Sequence, residues 1–159
     1  MNKKIITNQL GTYHRRLTYT GLILLWASGC LWLGFHYFVS SSGELGLSPH
    51  PLQIWWLKLH GLTAMCSLII FGSLMPGHIR KAWQHRKNRG SGSTMVATMI
   101  GLTLTGYALY YVGGEELRPL ISLTHWIWGL AMAPLIVGHI LLGRRTRKLA
   151  SKYETRTIQ

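Results

Sequence analysis

The chain has 159 residues, with 17 Lys and Arg set against only 4 acidic residues, all Glu, for a formal net charge of +13. Hydrophobic residues make up 48% and charged residues only 13%, where a soluble domain carries about 25% charged residues of mixed sign. This excludes an ordinary soluble enzyme, and the 7 Trp exclude a disordered basic tail. Nucleic acid is excluded as a partner because the basic residues stand in blocks between long apolar runs, not woven into a polar surface.

A helix crossing the ~30 Å hydrocarbon core of a membrane needs about 20 mostly apolar residues. In chain order, a basic start (Lys3, Lys4, Arg15, Arg16) precedes a first apolar run over residues 17–40. An outer loop, SSGELGLSPHP at 41–51, leads to a second run over 52–77. Arg80, Lys81, Arg86, Lys87 and Arg89 fill the middle loop, which is polar and expected to be mobile over 84–93. A third run spans 94–113, a fourth spans 119–143, and Arg144, Arg145, Arg147, Lys148, Lys152 and Arg156 follow it. Backbone groups must be paired within lipid, so these runs are expected to be helices. The expected fold is all-α, a membrane-embedded four-helix bundle forming a single domain over 1–159.

All basic residues except Lys58 and Arg118 fall on one side of this arrangement. The positive-inside rule then makes both termini and the middle loop cytoplasmic. Trp55 and Trp56 fit an outer aromatic belt. The first run is too long for a signal peptide and lacks a convincing cleavage site, so it reads as a retained anchor. Cys30 and Cys66 lie in different runs and read as packing residues. There is no CxxCH for covalent haem attachment, and no internal repeat is visible.

Eight His residues carry most of the functional information, because ionisable groups inside a membrane mark function by default. His50 and His85 fall in loops and read as solvated; His36 reads as interfacial. His125 and His139 lie 14 residues apart in the fourth run, about 40° short of four full turns, so one helix face carries both, ~21 Å apart. They cannot share a zinc or copper ion, whose ligands converge on one point. A proton relay would normally include intramembrane carboxylates, and these runs contain none. Two intramembrane His at two depths are what two stacked haem groups need, since paired axial imidazoles make a six-coordinate electron-transfer iron. His60 matches His125 in depth near the outer face. His14 and His78 are the candidates to match His139 near the inner face. His78 follows His60 by 18 residues, or five full turns along a straight helix, on the same face and ~27 Å away. Pro76 and Gly77 are expected to kink this stretch.

The helix-four stretch LTHWIWGLAMAPLIVGHILLG, KLHG around His60, LTGY at Leu104–Tyr107 and the Ser28–Gly29 step resemble the bacterial cytochrome b561 family. The same architecture serves the cytochrome b subunits of formate dehydrogenases and nickel–iron hydrogenases. The resemblance implies two haem b groups with His14, His60, His125 and His139 as iron ligands, and His78 as the alternative inner ligand. It implies a bacterial inner membrane location and quinone as electron acceptor or donor. A redox partner subunit (a c-type cytochrome, an iron–sulfur or a flavin protein) is implied as well. Helix one departs from the family pattern, because His14 is followed by Arg15 and Arg16 where the family has Trp. His78 is a candidate quinone contact, and Arg15, Arg16 and Arg80 are candidates for quinone or haem propionate contacts. Lys58 is a candidate for outer propionate pairing.

The leading expectation is an electron-transfer subunit of a respiratory oxidoreductase, not a self-contained enzyme. One alternative is a stand-alone quinone-linked oxidoreductase such as a superoxide oxidase. The other is a haem-free membrane assembly subunit, whose His residues serve only packing.

Overall fold

A computed structural model describes the backbone of residues 11–43, 46–86 and 88–157, with side chains described outside 42–47 and 150–157. Lys3, Lys4 and Lys87 lie outside the described residues, as do the side chains of Lys152 and Arg156. The architecture is predominantly helical. Helix α1 spans Thr12–Phe38; strands β1 (Ser40–Gly43) and β2 (Gly46–Pro49) follow, then α2 (Leu52–Leu74), a π-helical turn (Met75–Ile79), α3 (Arg80–Gln84), α4 (Arg89–Tyr111) and α5 (Leu117–Thr157). Three helical stretches are long and apolar enough to cross a membrane: Thr12–Phe38, Leu52–Gln84 and Leu117–Leu149. This is a multi-pass membrane protein. Helix α4, with 23 residues, is about 34 Å long, but its first turns read RGSGST and its apolar stretch is interrupted by Thr and Tyr.

The chain divides into two compact units, Met1–His85 and Arg86–Gln159. In the first, α1 and α2 form an antiparallel hairpin. Its register is fixed by hydrogen bonds from α1 to α2 at His14–Ser73, Gly21–Ser67 and Ser28–His60. The α1 positions recur every seven residues, the spacing of an interhelical seam. The buried residues along this seam are small and polar: Thr18, Ser28, Thr63 and Ser67. The large apolar side chains, among them Ile23, Leu24, Leu62 and Ile69, point outward. Lipid is as apolar as leucine, so membrane helices gain by close backbone approach and interhelical hydrogen bonds instead of by hiding Leu and Ile. The buried Ser67 hydroxyl reaching the Gly21 carbonyl at 3.4 Å is such an approach.

In the second unit, α4 and α5 form the corresponding hairpin. Here Ser91 meets His139 and Thr105 meets His125, while Met99 and Met132 are buried between these two levels. At one end, Asn88 takes a left-handed backbone (φ 50°) before α4, and its side-chain oxygen accepts the Thr146 hydroxyl at 3.0 Å. At the other end, the Arg118 guanidinium donates to the Leu109 and Val112 carbonyls at 3.2 and 3.4 Å, capping the last turn of α4.

Several expected boundaries move. Helix α1 starts at Thr12, before residue 17, because nothing between Thr12 and Leu17 breaks a helix; His14, Arg15 and Arg16 are therefore helical. The second run continues to Gln84, 33 residues in all. The second half of the polar stretch expected to be a mobile loop over 84–93, residues 89–93, is the start of α4, since the left-handed turn ends at Asn88. Helix α5 continues well past residue 143, to Thr157, with Pro134 inside it. The loop between α1 and α2 forms a β-hairpin with Ser40 opposite Pro49 and Ser41 opposite Ser48, clasped by a 3.1 Å contact between the Ser41 and Ser48 hydroxyls.

Candidate functional site

His60 on α2 is half-buried against α1. Its Nδ1 lies 3.1 Å from the Leu25 carbonyl oxygen and 3.2 Å from Ser28 Oγ. A carbonyl only accepts, so Nδ1 carries the proton and Nε2 carries the ring lone pair. The Ser28 hydroxyl proton goes to the same Leu25 carbonyl at 2.9 Å, which leaves Ser28 Oγ as a second acceptor for Nδ1–H. Thr63, one turn along α2 from His60, completes the cluster 3.2 Å from Ser28 Oγ. Gly29 lies against the imidazole itself: a Cβ there would stand 3.0 Å from Cε1 of His60.

His125 on α5 repeats this arrangement in the second hairpin. Its Nδ1 lies 2.9 Å from Thr105 Oγ1, and the Thr105 hydroxyl donates to the Gly101 carbonyl at 2.8 Å. With that proton committed, Thr105 accepts from His125 Nδ1–H. Gly106 packs on the ring, where a Cβ would stand 3.2 Å from Cε1. Further along α5, His139 Nδ1 lies 3.1 Å from Ser91 Oγ, and Ser91 donates to the Asn88 carbonyl at 3.3 Å. Nδ1 is again the nitrogen held against the hydroxyl.

His14 differs. Its contact with Ser73 Oγ, at 2.9 Å, is made by Nε2. Ser73 donates to the Ile70 carbonyl at 2.6 Å, so His14 Nε2 carries the proton and Nδ1 the lone pair.

Each hairpin thus has two histidine–hydroxyl rungs. They are His14–Ser73 and Ser28–His60 in the first, and Ser91–His139 and Thr105–His125 in the second. Along α1, α4 and α5 the two rung positions are 14 residues apart, and along α2 they are 13 apart. That spacing is about 20 Å of helix, so the two rungs of one hairpin sit at separate levels. Among the described residues no three His, Cys, Asp or Glu side chains converge on one metal position.

The donor set fits axial ligation of haem iron. Imidazoles that bind metal through Nε2 have Nδ1–H donated to a carbonyl, hydroxyl or carboxylate, which fixes the tautomer and raises ligand basicity. His60 and His125 have that form, and His139 is held by the same nitrogen. His14 has the opposite nitrogen engaged and would have to give up Ser73 to bind through Nε2.

His78 lies within the π-turn Met75–Ile79, together with Pro76 and Gly77. The expected kink is thus a π-turn, which carries an extra residue. The same-face relation between His60 and His78 calculated for a straight helix is lost. Arg15, Arg16 and Arg80 are exposed at the ends of their helices. Lys58 sits over the Trp55 ring, its Nζ 4.7 Å from the centroid. His36 stacks on Trp32 with ring centroids 4.8 Å apart and accepts from Gln53 Nε2 at 3.0 Å. His50 is not simply solvated, because its Nδ1 accepts the Leu52 backbone N–H at 3.2 Å at the start of α2. Cys30 and Cys66 are free thiols.

Sequence reasoning singled out the histidines but not the hydroxyls that hold them. Ser91 was hidden in a stretch expected to be loop, and Ser73 carried no signal of its own. Ser28 and Thr105 lay within noted motifs, the Ser28–Gly29 step and LTGY, without an assigned role. A Ser or Thr placed 14 residues after another, or after a His, was the signal available. No protein-family model, curated protein or solved structure matches the chain.

Proposed function

We propose that the chain is a di-haem b membrane cytochrome that carries electrons across a bacterial inner membrane between a redox partner subunit and the quinone pool. It would be a four-span bundle with both termini cytoplasmic, as its charge distribution suggests. The observation that carries this reading is the double set of histidine–hydroxyl rungs. Each helical hairpin carries two imidazoles at two levels of its own, four in all, the number that two bis-imidazole irons would require. Depth in the sequence pairs His60 with His125 and His14 with His139.

Haem supplies a one-electron carrier, while the protein supplies ligands, burial and electrostatics. His60 and His125 carry the lone pair on Nε2, and His139 is held by Nδ1 as they are. Ser28, Leu25, Thr105 and Ser91 hold the opposite nitrogen and stop each ring from turning. The apolar outward faces of the helices keep water from the imidazoles and place the protein in lipid. Arg15, Arg16 and Arg80 form a cationic inner rim suited to pairing with carboxylates such as haem propionates. Quinone reduction consumes protons, and His78, in its π-turn at that end of α2, is the candidate to deliver them. The π-turn takes His78 off the face of α2 that carries His60, which favours His14 over His78 as the inner ligand.

The test is the haem-to-protein ratio of purified, haem-supplemented protein by pyridine haemochrome spectra. About two b haems per chain are expected, falling to about one in each of His60→Ala, His125→Ala, His139→Ala and His14→Ala, and unchanged in His78→Ala. Protein without a Soret band would refute this reading in favour of a haem-free assembly subunit. Rapid, salt-sensitive quinone reduction by superoxide would instead identify a stand-alone oxidoreductase.

A further inference from the structure

In both hairpins the leading helix presents a hydroxyl residue followed directly by glycine to a histidine on the returning helix. Ser28–Gly29 faces His60, and Thr105–Gly106 faces His125. The division of labour is the same in each. The hydroxyl has already given its proton to its own helix, to Leu25 or Gly101, and so can only accept. The glycine removes the side chain that would stand 3.0 Å or 3.2 Å from Cε1 of the ring. One residue fixes which nitrogen bears the proton; the next fixes how close the ring lies to the neighbouring backbone.

We propose that Ser28–Gly29 and Thr105–Gly106 are a repeated positioning device that sets the tautomer and ring rotation of His60 and His125, and through them the reduction potential of the iron each ligates. The potential part rests on the di-haem reading; the tautomer part does not. Donation from Nδ1–H shifts electron density towards Nε2 and favours the more highly charged, oxidised iron. Loss of such a partner typically weakens metal binding by about 10- to 100-fold. The hydroxyl at 105 belongs to a β-branched side chain, so valine keeps its shape and removes only the acceptor, while serine keeps the acceptor and removes only a methyl.

The experiment compares wild type, Thr105→Val and Thr105→Ser as full chains in detergent, by two measurements. The first is a potentiometric titration of the haem-loaded protein. Thr105→Val is expected to raise the potential of one haem only, by about 59 mV for a tenfold loss of preference for the oxidised iron, and Thr105→Ser to return it to the wild-type value. Full haem content with both potentials unchanged in Thr105→Val would overturn the proposal. The second measurement, nitrogen-15 NMR of the histidines in haem-free protein, covers the case in which Thr105→Val holds no haem. Wild type and Thr105→Ser are expected to show Nδ1–H at His125, and Thr105→Val to lose it. A wild-type His125 protonated at Nε2 would overturn the positioning role whatever the haem content. Wild type that binds no haem but keeps Nδ1–H at His60 and His125 would refute the di-haem reading and the potential effect, while supporting the positioning role.

Discussion

Replacing Gly29 with alanine places a methyl group 3.0 Å from Cε1 and 3.2 Å from Nδ1 of His60. Carbon atoms in good contact stand ~3.5 Å or more apart, so the ring must retreat by about 0.5 Å. His60 Nδ1 begins 3.1 Å from the Leu25 carbonyl and 3.2 Å from Ser28 Oγ, at the long end of the N–H···O range, and a further half-ångström takes both past hydrogen-bonding distance. An interhelical hydrogen bond in a membrane is worth about 0.6 kcal/mol on average and about 1.7 at most. Overpacking a seam adds about 1–3 kcal/mol. Alanine also recovers about 1 kcal/mol of helix propensity over glycine. The control is Gly34→Ala on the same helix, where a Cβ meets nothing within 4 Å; it gains the propensity without the clash. The difference between the two variants therefore isolates the His60 contact, and about 2–3 kcal/mol is expected. Equilibrium unfolding in mixed micelles, followed by tryptophan fluorescence, measures it. Equal stability of Gly29→Ala and Gly34→Ala would refute the account of Gly29 as the seat of the imidazole.

In the second hairpin, Gly101→Ala would drive a methyl into Cζ3 of Trp128 and place it 2.7 Å from Cε3. A rigid indole must leave its position, so a loss of about 3 kcal/mol is expected. Trp128→Leu should relieve much of it in the double variant, and strictly additive losses in the same unfolding assay would count against the contact. At the start of α4, Asn88 holds φ 50° and ψ 37° and accepts from Thr146. Asn88→Gly and Asn88→Ala both lose that bond, but alanine also bears the left-handed strain of about 1–2 kcal/mol. The glycine variant should be the more stable, and the reverse order would refute the conformational argument.

The membrane class and the helical runs were legible in the sequence because both follow from composition along the chain. Apolar length sets what crosses lipid, and blocks of Lys and Arg mark the ends. Helix boundaries were less legible. Residues 89–93, RGSGS, look like loop by composition, yet they are helical once Asn88 has turned the chain and α5 lies alongside to receive Ser91. The fifth helix also runs to Thr157, beyond the point where its apolar signal stops, because charged residues such as Lys, Arg and Glu are good helix formers outside lipid.

The sequence by itself determined that His60, His125 and His139 stand within apolar helices, and that His125 and His139 share one face of one helix, because 14 residues are nearly four whole turns. Only the tertiary structure decided what each imidazole does with its protons. His60 meets Ser28 and the Leu25 carbonyl from 32 and 35 residues away, His139 meets Ser91 across 48, and His14 meets Ser73 across 59. No local pattern encodes these pairings, because each depends on the register in which two antiparallel helices come together. The turn at Pro76 and Gly77 is π-helical, which takes His78 out of phase with His60. The helix register gave His14 the opposite nitrogen from the other three rung histidines, a difference set by which Ser or Thr lies opposite each ring.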